Sequence, residues 1–199
     1  MLEMIRGCKV PQAEQLTEQY EREEYGLTAN VNASKIERVF QHFIGMQQGK
    51  LFFILELPTS EQDECRLRTS DTVPLHKDIY YIDGLNAEQA SSILIRHGEL
   101  LIHDGLCQFG FGAHDGLAEL MLWKYNVMTL WTKEAERYKD FFEAHDIFRA
   151  DHCVTAWNTF TPEAPGESNS IEIEGKSVFD LPQELADYGI YFAERREDK

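Results

Sequence analysis

The chain has 199 residues, 43% hydrophobic and 12% aromatic, which suits one domain with a substantial core. Its 35 Asp and Glu face 19 Lys and Arg, a formal charge of −16. Nucleic acid and anionic membranes must be met by Lys and Arg, so this balance argues against both and favours a basic protein as partner.

No run approaches the ~18 apolar residues of a membrane span. The stretch before Pro11 lacks the apolar core of a secretory leader. Cys8, Cys65, Cys107 and Cys153 are far apart and form no C-x-x-C pair, which argues against a zinc ribbon or a disulfide framework. Free thiols in a reducing cytoplasm are the expectation.

In chain order, residues 12–25, QAEQLTEQYEREEY, are polar with a sparse stripe of Ala13, Leu16 and Tyr20. With Pro11 in the first turn they are predicted as a surface helix, part of a peripheral segment 1–30. A second helix is predicted from Ser34, with Glu37 in the capping-box position and Ile36, Val39, Phe40, Phe43 and Ile44 facing the core until Gly49. LFFILEL, 51–57, reads as a strand buried on both faces, and the polar 58–77 as a long surface loop. DIYYIDG, 78–84, reads as a strand. Asn86 then caps a helix with Gln89 in the reciprocal position, and Gly98 is its expected C′ residue.

The tetrapeptide HDGL occurs twice, at 103–106 and 114–117. Asp-Gly favours two-residue type I′ hairpin loops. Loops at 104–105 and 115–116 divide the region into strands 99–103, 106–114 and 117–123. In that register Phe111 faces Leu120, Phe109 faces both Leu122 and Leu100, and Ile102 faces Cys107, all on one apolar side. The other side is mixed: it carries Gln108, Gly110, Gly112, His114, Glu119, Met121 and Trp123 among others. Glycines inside a strand mark a close approach by a helix, by Trp123 and Met121, or by a ligand.

A strand continues to Trp131. Thr132 is predicted to cap a helix with Ala135, Tyr138, Phe141 and Phe142 buried. Residues 152–160 read as a strand, 171–179 as a hairpin or bent strand around Gly175, 182–189 as a short helix, and 190–194 as the last strand. The sum is one α+β domain over 1–199: a mostly antiparallel sheet containing a β-meander (about 99–131), with helices packed on it.

Chemistry is sparsely signalled. At opposite ends of the meander His103 and His114 stand about 26 Å apart, too far to share a metal, so no metal site and no cofactor are expected. Gly110-Phe111-Gly112 lacks the third glycine of a dinucleotide loop and no helix follows it. Cys153 follows His152, but strand neighbours point to opposite faces. His76 and His145 are linked to no cysteine in the sequence, and a catalytic thiol needs such a base. The mixed face supplies the candidates: His114 and Glu119 for acid/base work, and Gln108, Met121 and Trp123 for binding. A small, very acidic α+β chain without a catalytic signature is similar to bacterial inhibitor and immunity proteins that bind basic toxins. The leading expectation is therefore a non-catalytic binding protein for a basic partner. The alternatives are a hydrolase or transferase, or a small-ligand sensor, using the face around His114, Glu119 and Trp123.

Overall fold

The computed structural model describes residues 1–68, 70 and 74–198. Among them, four α-helices and eleven strands form an α+β fold. The order is β1 (Cys8–Lys9), β2 (Gln19–Glu23), β3 (Gly26–Asn30), α1 (Ala33–Met46), β4 (Leu51–Pro58), α2 (Glu61–Leu67), β5 (His76–Leu85), α3 (Ala87–His103), β6 (Gln108–Ala113), β7 (Ala118–Leu122), β8 (Val127–Thr132), β9 (Phe148–Arg149), β10 (Glu167–Ser168), α4 (Leu181–Glu184) and β11 (Tyr191–Glu197). Nine strands make one sheet in the order β11-β5-β4-β6-β7-β8-β3-β2-β9, and β1 pairs with β10. Every pairing is antiparallel except β2 with β9.

Period-two alternation sends Leu51, Phe53, Leu55, Phe109, Phe111, Leu120, Leu122, Met128 and Leu130 to one face, where α1 and α3 cover them. The α1 stripe is the predicted one: Ile36, Val39, Phe40, Phe43 and Ile44 are all buried. Phe40 stacks on Phe109 at 4.7 Å and meets Phe111 edge-on at 5.9 Å. The predicted β6–β7 register is present, with Phe109 opposite Leu122 and Phe111 opposite Leu120. The Asn86–Gln89 capping box is present, both bonds made at 2.8 and 3.0 Å, and α4 leads to Gly189 in the left-handed region.

Several predicted elements are corrected. Residues 12–25 are not a helix: one 3-10 turn at Ala13–Gln15 is followed by the β2–β3 hairpin. Leu16 and Tyr20 are buried, so sheet pairing outweighs the helix preference of the Glu/Gln run. Residues 58–77 hold α2, capped by Ser60 accepting the Asp63 N–H, although positions 69 and 71–73 lie outside the described residues. The stretch 133–142 forms turns, yet Tyr138, Phe141 and Phe142 are buried as expected while Ala135 is exposed. Residues 152–160 contain a 3-10 turn, Ala156–Thr159, in place of a strand.

The largest correction concerns the first HDGL. Residues 99–103 are the end of α3, which runs through Gly98 because Leu100, Leu101 and Ile102 are buried. The meander is therefore β6–β7–β8, and the expected pairing of Ile102 with Cys107 does not exist. The two copies nonetheless share a local structure. Asp104 Oδ1 accepts the Leu106 N–H at 2.8 Å, and Asp115 Oδ1 accepts the Leu117 N–H at 3.0 Å. The repeated tetrapeptide encodes the same Asx turn. Its glycines serve different ends. Gly116 has φ 71°, donates its N–H to the Ala113 carbonyl and closes a four-residue hairpin loop, with no left-handed Asp115 as a type I′ turn would need. Gly105 lies flat against Gly7, where a Cβ would overlap the Gly7 carbonyl. Gly116→Ala should thus cost about 1 kcal/mol through positive φ. Gly105→Ala should cost about 3 kcal/mol or more by forcing two backbone segments apart. Urea midpoints of the two variants check the ranking.

Near the other end of the sheet, α1 is pinned to the turn Glu143–His145. His42 Nδ1 and His145 Nε2 lie 2.9 Å apart, and His42 stacks on Phe141 at 5.0 Å. Burial, and then the neighbouring charges of His42, Arg38 and Lys35, push His145 down to about 4, against a weaker opposing pull from Asp146. His42 is also lowered by burial. With the folded pKa below the unfolded value, the unfolded chain binds more protons as pH falls from about 6.5 to about 4, so stability is lost across that window. His145 alone should contribute on the order of 2 kcal/mol to that loss. Urea denaturation at pH 7.5 and 4.5 should show a smaller acid loss in His145→Gln than in the parent chain.

Candidate functional site

The sheet face away from α1 and α3 carries no helix stripe. Its buried hydrophobic residues are Ile54, Ile79 and Met121, with Phe52, Tyr81 and Trp123 packed against them. Cross-strand pairing arranges the face in rows. One row holds Phe52, Gly112, Glu119, Trp131 and Gly26; the next holds Tyr191, Tyr81, Ile54, Gly110, Met121, Thr129 and Thr28; a third holds Glu194, Ile79, Glu56 and Gln108.

The two glycines of β6 are explained by packing. A Cβ on Gly110 would meet Met121 Sδ and the Leu120 carbonyl, and one on Gly112 would meet the Phe52 ring. Met121 is thereby buried as filler over the strand backbone.

Glu119 is half-buried between Gly112 and Trp131. Burial, and secondarily the negative Glu56, raise its carboxyl, with Arg196 partly opposing. Among the described residues no hydrogen bond or ion pair reaches it. His114 stands exposed at the hairpin end, where its Nε2 accepts the Gly84 N–H at 2.9 Å and lies 3.4 Å from Asp83 Oδ1. Its ring meets Phe52 edge-on at 6.0 Å. No contact joins His114 to Glu119, so the two candidate acid/base residues share a face without forming a pair. His103, on α3, faces Arg6 instead, its Nδ1 accepting the Arg6 N–H at 3.3 Å.

Gln108 and Trp123 do come together. They line a cleft of about 480 Å³ with Lys77, Lys124, Trp157 and Asp198. Trp123 Nε1 donates to Thr129 Oγ1 at 2.7 Å, which fixes its ring. Lys77 Nζ lies 2.6 Å from Glu56 Oε2, close but off-line for a hydrogen bond, and 3.4 Å from Asp198 Oδ1. Arg196 also pairs with Glu56, which is only 1% exposed. The cleft floor is shaped by the four-residue β7–β8 connection, closed by Trp123 N–H donating to the Val127 carbonyl at 2.8 Å. Tyr125 and Asn126 are both left-handed there, at φ 61° and 64°. Asn126 holds that conformation with four-way support: its amide donates to the Glu3 and Val31 carbonyls, its Oδ1 accepts the Ile5 N–H, and its backbone carbonyl accepts the Val31 N–H. Lys77, Lys124, Trp157 and Asp198 are the residues that sequence reasoning missed. Lys124 adjoins Trp123, but only the paired left-handed residues after it turn it into the cleft.

A second, shallower cleft of about 300 Å³ lies at the far end of the face, between the β2–β3 hairpin and β8. Glu23, Glu24, Tyr25 and Trp131 line it. Trp131 is 41% and Tyr25 62% exposed.

The remaining chemistry is already occupied. Among the described residues no three His, Cys, Asp or Glu side chains converge on a common point. Burial pushes the Cys8, Cys107 and Cys153 thiols up, away from the reactive thiolate. His152 turns to Glu21 and His76 to Glu64, at 3.2 and 3.1 Å, and His145 to His42. No helix among the described residues is long and apolar enough to cross a membrane. No family model, no curated protein and no solved structure matches the chain.

Glu119 is thus a carboxylate held where its charge is disfavoured. With the folded pKa above the unfolded one, its contribution to stability is greatest below the carboxylate range and is lost as pH rises through the folded value. Glu119→Gln should therefore raise the urea midpoint at pH 7. That advantage should shrink towards pH 4.

Proposed function

We propose that the protein is a non-catalytic acidic binding protein that docks a basic protein partner on the open face of its sheet, as an inhibitor or immunity protein does. Trp131 carries this reading. Its ring stands exposed beside Glu23, Glu24 and Tyr25, with Glu119 directly across the strand pair. Lys133 Nζ already lies 5.3 Å over the ring, which marks that indole as a cation-accepting surface. A Lys or Arg from the partner meets carboxylates and aromatic faces in the same cleft. The adjoining part-exposed Phe52 and Tyr81 offer apolar area for the core of an interface. The charge of −16 supplies long-range attraction, which acts mainly on the association rate. Cytoplasmic residence, inferred from the free thiols, is part of the same reading.

The experiment is capture on the immobilised chain at low salt, followed by kinetics with the captured protein. One basic protein should bind saturably. Its association rate should fall steeply as added salt shortens the screening length to about 8 Å. Trp131→Ala or Tyr25→Ala should weaken binding by ~2 kcal/mol or more, while single rim substitutions such as Glu24→Gln change little. Retention of many basic proteins, indifferent to Trp131→Ala, would mean that the acidic surface serves solubility only.

A further inference from the structure

The cleft at the opposite end of the face is built for a different ligand. Its two tryptophans are held independently. Trp123 is fixed through Thr129, and Trp157 sits on a 3-10 turn whose Thr155–Asn158 capping box sets it in place. Tyr125 and Phe160 meet Trp157 edge-on at 4.9 and 5.6 Å, leaving it 50% exposed. No ring contact joins Trp123 to Trp157 among the described residues, so both present aromatic surface to a cleft of about 480 Å³. Volumes of this order suit small organic ligands.

The polar groups add a sign. Lys124 is half-buried in the wall, with no carboxylate within ion-pair reach among the described residues. Gln108 is 8% exposed. Its Oε1 faces Lys77 Nζ at 3.4 Å, so its amide N–H groups remain as donors without a protein acceptor among the described residues. Lys77 is met by Glu56 and Asp198, and Arg196 by Glu56 and Glu194, which leaves Lys124 as the cation of the lining without a carboxylate partner among the described residues. One unpaired ammonium inside a chain of −16 suits a single anionic group and opposes a polyphosphate.

We infer that this cleft binds a small planar aromatic monocarboxylate. The ring lies against Trp123 and Trp157, and the carboxylate meets Lys124 and the Gln108 amide. Flat rings favour offset or edge-on aromatic contact, and a carboxylate accepts charge-assisted bonds from an ammonium. The site is separate from the Trp131 cleft, so protein docking there and ligand binding here stand or fall independently.

The test is isothermal titration calorimetry of the full chain with 2-naphthoate, indole-3-acetate and benzoate, and with 2-naphthamide as the neutral control. At least one carboxylate should bind saturably, and 2-naphthamide should bind about tenfold or more weaker than 2-naphthoate where the latter binds. Lys124→Met, which keeps the aliphatic stem, should weaken the carboxylate about tenfold and leave the amide unchanged. Trp157→Leu, checked for folding by circular dichroism, should weaken both. Three results overturn the assignment: no saturable binding by any of the three acids, equal affinity for acid and amide, or binding that neither Lys124→Met nor Trp157→Leu alters.

Discussion

Over Phe109–Gly112 strand β6 has no room for side chains on both of its faces, and the shape of the open sheet face follows from that. Phe109 and Phe111 fill the core under Phe40, while the positions that alternate with them are Gly110 and Gly112. Without a Cβ on the open side, Met121 and Phe52 lie down against the strand backbone. They, with Ile54 and Ile79, close the middle of the face. Clefts open at its two ends, at Trp131 beside the β2–β3 hairpin and at Trp123 beside the β7–β8 connection. A residue larger than glycine at 110 or 112 would lift the central side chains and alter both ends at once.

The ends differ in their cations because of one buried carboxylate. Glu56 is on the interior strand β4, where an unpaired charge would be costly to bury. Lys77 from β5 and Arg196 from β11 satisfy it. These cations are therefore drawn to the Trp123 end, and β11 is tied into the sheet by the same interaction. The Trp131 end keeps its carboxylates and has Lys133 as a neighbouring cation. The overall charge thus conceals a face whose two ends differ in their charged groups: carboxylates beside Trp131, and cations matched by carboxylates beside Trp123.

Local signals in the sequence were legible where both partners of an interaction lie close in the chain. The β6–β7 register, the Asn86–Gln89 box and the α1 stripe all belong to that class. The failures have distant causes. The end of α3 is set by Asp104, whose Oδ2 accepts Ser170 Oγ–H and the Ile171 N–H from 66 and 67 residues away. The Glu/Gln-rich 19–23 is held as a strand by β3, which is itself held by β8. Of the candidate site, Gln108 and Trp123 were legible from alternation on one strand face. Trp157 was not, because its place at the cleft depends on contact with Tyr125, which is distant in the chain.

Catalysis needs several capable groups to converge on one reacting atom, and recognition needs them spread over a surface. Most histidines of this chain are turned to local partners: His42 and His145 to each other, His76, His103, His114 and His152 to carboxylates or backbone. The buried thiols are raised by burial, away from nucleophilic use. On the open face the groups with unused capacity include the Glu119 carboxylate, the Lys124 ammonium, the Gln108 amide and the exposed faces of Trp131 and Trp157. They divide between ends separated by the filled centre of Met121 and Phe52. The filled centre keeps the two sets apart, so under the proposed readings each end meets its own ligand with its own groups.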